Sequence, residues 1–203
     1  MLDKFLEKAS FESYEDFMQN FKINVPENFN FGYDVVDRWA EKEPNKKALL
    51  WTNDQGKEIQ FTFADIKRES DKTASFFAAQ GIGRGDMVML ILKRHYQFWF
   101  CMTALHKLGA VAIPATNQLK EHDFEYRYNS AGVKAIVCTA DGDTYEYAQS
   151  AAKKCPQVEK LIMVGGAKEG WLDFDKEYPL FSRKHERPED CSSGDDLALM
   201  FFT

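Results

Sequence analysis

The runs Met87-Val88-Met89-Leu90-Ile91-Leu92, Val111-Ala112-Ile113-Pro114, Ala135-Ile136-Val137-Cys138 and Leu161-Ile162-Met163-Val164 decide the fold. Each is short and apolar at successive positions, the pattern of a strand whose sheet is covered on both faces. The segments between them read as helices. Tyr96 to Leu108 closes at Gly109, Glu121 to Ser130 ends near Gly132, and Asp143 to Lys154 stops before Pro156. A strand–helix series of this kind predicts an α/β fold: a parallel sheet flanked by helices on both faces, with right-handed crossovers.

Upstream, Thr62 followed by Asp65 predicts a capped helix carrying Phe63, Ile66, Ala74, Phe77 and Ala78 and stopping at Gly81. Before it, Ala48 to Thr52 and Glu58 to Phe61 flank Asn53-Asp54-Gln55-Gly56, a β-hairpin signature. Tyr33 to Glu43 reads as a helix with Val35, Val36 and Trp39 on one face. The first 30 residues space Phe5, Phe11, Tyr14, Phe17, Met18 and Phe21 as an N-terminal helical segment lying across the body. Downstream, residues 167–194 read as a loop with one turn near Trp171, and Asp195 to Phe202 as a seventh, core-like strand. The expected division is 1–32, a helical segment on the body, and 33–203, the α/β domain.

With 203 residues, 44% hydrophobic and 29% charged, the chain suits one large domain, or one and a piece. It is no coiled coil, collagen or disordered tail. The net charge of -6, with Lys93-Arg94-His95 as its densest basic cluster, argues against nucleic acid as a partner. Mean hydropathy is -0.47. The longest apolar run, Phe98 to Leu105, is far short of the ~20 residues of a membrane span. Cys101 and Cys138 read as core residues, Cys155 and Cys191 lie in polar stretches, and no C-x-x-C pair suggests a metal. Met1 to Lys8 has no apolar signal region, so the cytoplasm is the expected compartment.

Few residues announce chemistry. Gly81-Ile82-Gly83-Arg84-Gly85-Asp86 follows a helix and opens a strand, the reverse of a dinucleotide-binding turn, and reads as a helix stop. His95, His106, His122 and His185 share no spacing and read as packing or surface groups. Asp195-Asp196 reads as a solvated turn. The loop Pro114 to Leu119 stands after a parallel strand, where α/β sheets bind ligands. Its Thr116, Asn117 and Gln118 suit a neutral polar ligand segment.

Three stretches resemble the adenylate-forming (AMP-binding) acyl-CoA synthetases: Phe61 through Val88, Leu108-Gly109-Ala110-Val111-Ala112-Ile113-Pro114, and Asp196 through Thr203. Pro114 to Lys120 with Tyr126-Arg127, and Gly170-Trp171-Leu172-Asp173-Phe174, are similar to the medium-chain (butyrate-type) members. The resemblance implies the N-terminal part of the large domain of that fold. It implies a ligase of fatty acid metabolism that joins a carboxylate to ATP and passes the acyl group to coenzyme A, with Mg²⁺. It places Gln118 at a coenzyme A contact and Thr203 at the first threonine of the ATP phosphate loop. No catalytic residue or metal ligand is carried over. The proline turn that many members have near Lys93 to Tyr96 is missing. On this reading the chain is an N-terminal fragment ending at the phosphate loop, inactive alone and self-associating through exposed apolar surface. The alternative is a stand-alone binding or regulatory domain of the same descent.

Overall fold

A computed structural model describes residues 5–203; Met1 to Lys4, part of the stretch on which the signal reading rests, lie outside the described residues. Strands β3 (Met87–Ile91), β4 (Val111–Pro114), β5 (Val133–Thr139), β6 (Lys160–Val164) and β7 (Leu172–Asp173) form one parallel sheet. Their order is β4-β3-β5-β6-β7. The apolar runs serve both faces. Val88, Leu90, Val137 and Ile162 pack against α3 (Phe63–Ala79) and α4 (Gln97–Leu108). Met89, Ile91, Ile136 and Met163 pack against α5 (Glu121–Ala131) and α6 (Thr144–Ala152). Burial of each such side chain contributes about 1.5–3 kcal/mol.

The local signals act as read. Thr62 Oγ accepts from Asp65 N at 3.2 Å while Asp65 Oδ2 accepts from Thr62 N at 2.9 Å, a complete capping box on α3. Strands β1 (Lys47–Thr52) and β2 (Glu58–Thr62) pair antiparallel. Gly109 ends α4 at φ +68°, and a Cβ there would stand 2.1 Å from the Cys191 carbonyl oxygen, so only glycine fits.

Four expectations need correction. The helix expected over Tyr33 to Glu43 is not regular: Gly32–Asp37 is a π-helical turn that runs into α2 (Arg38–Lys42). The wider turn coincides with two inward aspartates, Asp34 on Arg187 at 3.1 Å and Asp37 on Lys107 at 2.8 Å. Residues 167–194 are more than a loop. They contain β7, α7 (Phe174–Glu177) and a 3-10 turn at Tyr178–Leu180, held by Phe174 stacked on Tyr178 at 4.4 Å and against Phe76. The segment 195–202 makes a single parallel bridge, Leu199 to Ala112 on the outer edge of β4. It is no core strand, because no described residue covers its outer side: Leu197 and Phe201 are 58% and 65% exposed. Cys155 and Cys191, despite their polar neighbours in sequence, are buried and free like Cys101 and Cys138.

At the N-terminus, α1 (Tyr14–Asn20) is capped by Ser13 and buries none of its own residues. Phe11, Phe17 and Phe21 form a cluster among themselves.

Candidate functional site

The chain runs from β3 outward to β4, returns across β3 to β5, and continues to β6. The connections after β3 and β5 therefore leave in opposite directions, and a crevice opens at the carboxyl ends of these two strands. The hairpin turn overhangs it. The resulting cleft has a volume of about 1080 Å³ and is lined by the loop after β3, the start of the loop after β4, Asp141 and the turn at Trp51 to Gln55.

Each wall is held by identifiable contacts. Trp51 Nε1 donates to the Arg94 carbonyl oxygen at 2.5 Å, and its ring meets Tyr96 edge-on at 5.4 Å. Tyr96 and Phe61, 5.1 Å apart, continue this contact to Phe100 on α4. On the far wall, Thr144 Oγ1 donates to the Asn117 carbonyl at 2.6 Å, joining the loops after β4 and β5. Gln97 Nε2 donates to Asp175, whose other oxygen accepts from Gly165 N at 2.7 Å, so the start of α4 is tied to the turn after β6.

Across the crevice itself stands His95. Its Nε2 lies 2.9 Å from both Asp141 Oδ2 and Thr139 Oγ1. The histidine read as a surface or packing group is a bridge between the β3 and β5 loops. Lys93 sits at φ +45°, the left-handed region; among the described residues it is the one non-glycine residue with positive φ. That conformation costs an L residue about 1–2 kcal/mol. A Cβ on Gly142 would stand 3.8 Å from Lys93 Nζ, so this ammonium also reaches the β5 side.

The residues singled out in the sequence fall in different places. Thr116 and Asn117 line the cleft. Gln118, next to them, is exposed, and its backbone N–H donates to Thr116 Oγ1 at 3.3 Å. Thr203 is exposed and outside the cleft lining, while Phe202 before it packs under Arg127 and against Tyr126. The Gly81 to Asp86 turn is a helix stop, with Gly81 and Gly85 at positive φ and Gly83 N bonded to Asp86. Asp196 is no free turn residue. It takes Arg84 through two bonds of 2.9 and 3.1 Å, and that guanidinium holds its carboxyl below the usual range. His106 presents no proton-transfer partner: both ring nitrogens are buried without a hydrogen bond, and burial lowers its pKa. His122 is 84% exposed. Among the described residues no group of three or more His, Cys, Asp or Glu side chains could hold a metal ion.

Lys93, Arg94, His95 and Asp141 are the cleft residues that sequence reading missed. Strand order is the signal that finds them, since it places the loops after β3 and β5 side by side.

Comparison with known proteins gives a consistent result. A family model described as AMP-binding enzyme matches residues 36–203. The mitochondrial acyl-coenzyme A synthetase ACSM3 of Pongo abelii is 36% identical over 202 residues, 96% of this chain and 34% of its own length. The mitochondrial acyl-coenzyme A synthetase ACSM5 of Rattus norvegicus is 33% identical over 187 residues, 89% of this chain and 32% of its own. The chain thus spans about a third of the length of these relatives. The crystal structure of a Brucella canis acyl-CoA synthetase superimposes with a TM-score of 0.75 at 22% identity, over 89% of this chain and 32% of that one, which establishes the fold. The expected cytoplasmic location is overturned by the same relatives, which are mitochondrial proteins.

Proposed function

The chain belongs to the AMP-binding enzyme family, and on that premise we propose that it supplies part of the N-terminal domain of an AMP-forming acyl-CoA synthetase of fatty acid metabolism. In the reaction a carboxylate oxygen attacks the α-phosphorus of ATP and the bond to pyrophosphate breaks. The thiol of coenzyme A then attacks the acyl carbon and AMP leaves. The observation that carries the reading is the 36% identity to an acyl-coenzyme A synthetase across 96% of this chain. The medium-chain preference rests on the passages at Pro114 to Arg127 and Gly170 to Phe174.

The chain's own part in this chemistry is positional. Gln118, exposed beside the cleft-lining Thr116 and Asn117, offers an amide to coenzyme A. Thr203 opens the segment that would enclose the ATP phosphates, where backbone N–H groups and a lysine do the binding in the family's loop. Mg²⁺ would neutralise phosphate charge. Since no described residues fit it, no step is assigned through it. Of the segment expected over 1–32, the described residues 5–32 act as a segment applied to the 33–203 body. Leu197, Leu199 and Phe201, all exposed, are the face through which isolated copies of the chain self-associate.

The test is direct. The coding sequence is read past the codon for Thr203, and Ser-Gly-Thr-Thr-Gly is expected. An immediate stop would favour a stand-alone binding domain. The 203-residue polypeptide by itself is expected to show no carboxylate-dependent ATP–pyrophosphate exchange; exchange by it would refute the assignment.

A further inference from the structure

Four features meet at the start of α4. The cleft lies at the switch point of the sheet, where the loop after β3 faces the loop after β5. Two cations, Lys93 and Arg94, line it, and among the described residues neither side chain has an ion-pair or hydrogen-bond partner. The acidic groups of the lining are Asp54, on the hairpin turn, and Asp141, which is engaged by His95. Finally, α4 has no acidic residue in its first turn, whereas α3, α5 and α6 carry Asp65, Glu121 with Asp123, and Glu146 there. Asp175, which accepts from Gln97, is the carboxylate at this helix end, and two positive charges, Lys93 and Arg94, precede the helix. Lys93 adds a left-handed backbone. A bound anion would give the Lys93 and Arg94 side chains a partner.

We propose that Lys93 and Arg94, at the switch-point crevice, form a subsite for the phosphate groups of a nucleotide-type ligand. His95, bonded to Asp141 and Thr139, fixes the two loops at the spacing that lets Lys93 and the start of α4 face the same phosphate. The Lys93 ammonium supplies a point charge and the Arg94 guanidinium a planar fork. The neutral Asn117 and Thr116 on the adjoining wall suit the uncharged part of the same molecule. The proposal deepens the acyl-CoA synthetase reading and rests on it for the carrier, because ATP and coenzyme A both bring phosphates.

The experiment titrates the 203-residue chain with coenzyme A, dephospho-coenzyme A, pantetheine, ATP and inorganic pyrophosphate while amide shifts are followed by NMR. Saturable shifts at Lys93 to Tyr96 and Ala140 to Asp143 are expected with phosphorylated probes and not with pantetheine. They should weaken as salt is raised. A coenzyme A response reduced in dephospho-coenzyme A assigns the 3′-phosphate; a preference for ATP assigns the nucleoside triphosphate. Lys93→Ala and Arg94→Ala should each weaken binding by about tenfold, and Lys93→Arg should restore most of it. Lys93→Gly separates binding from folding: glycine suits φ +45°, so the melting temperature should hold or rise while binding weakens as in Lys93→Ala. The proposal is overturned if the wild-type chain gives no saturable shift in these loops with any phosphorylated probe. It is also overturned if Lys93→Gly binds as the wild type does. Neither result touches the ligase assignment, which is judged separately by AMP release from the complete translated reading frame.

Discussion

Lys107 is 0% exposed and sits between two carboxylates, 2.8 Å from Asp37 and 2.5 Å from Asp71, which are 7% and 1% exposed. Lys67 caps the pair from the outside at 2.9 and 3.0 Å. The network joins the π-helical turn, α3 and α4, so two cations balance two anions inside the helical layer. At 2.8 Å and an effective dielectric near 20, one such unit pair is worth about 6 kcal/mol, most of it offset by desolvation. Lys107→Met keeps the stem volume and removes the charge, leaving Asp37 and Asp71 to share Lys67. Loss of one partner from a buried pair costs about 3–5 kcal/mol, a fifth or more of the stability of a typical domain. Urea unfolding followed by circular dichroism measures it. Lys107→Met with Asp71→Leu leaves Lys67 opposite Asp37 alone, in balance, and should recover to within about 1–2 kcal/mol of the wild type. A loss below about 1 kcal/mol in the single variant, or no recovery in the double one, would refute the electrostatic account.

Other expectations can be checked on the same chain. Gly109→Ala places a Cβ 2.1 Å from the Cys191 carbonyl at φ +68°; left-handed strain and overpacking together should cost about 2–5 kcal/mol in urea unfolding. Burial lowers the pKa of His106 below its ordinary 6.5. Below that pH the unfolded chain takes up a proton that the folded chain refuses, so His106 makes stability fall from pH 6.5 downward until the folded group itself titrates. His106→Phe should flatten that part of a pH–stability curve. The four buried thiols, with Cys138 pushed up to about 12 by burial, should resist a thiol reagent at pH 8 and react fully in urea.

The sheet, its helices and the hairpin were legible because the information is local. Apolar runs, the Thr62–Asp65 cap and the glycine stops act within a few residues of themselves. The π-turn at Gly32–Asp37 was not, because its inward aspartates meet partners far along the chain, Lys107 and Arg187. Nor was α7, whose place depends on Phe76 of α3. The edge segment 195–202 misled for the opposite reason: its composition is that of a core strand, but it pairs at one point and stays exposed. At the site, the family likeness picked out Gln118 and Thr203, while Lys93, Arg94, His95 and Asp141 needed the strand order, a property of the whole sheet.

Nucleotide release by the complete translated reading frame that carries this chain, given ATP, coenzyme A and a medium-chain carboxylate, decides whether the protein is an AMP-forming ligase. The account predicts AMP and pyrophosphate formed in step with acyl-CoA, and neither from the 203 residues alone. Release of ADP, or a frame that stops at Thr203 with no such activity, would contradict it.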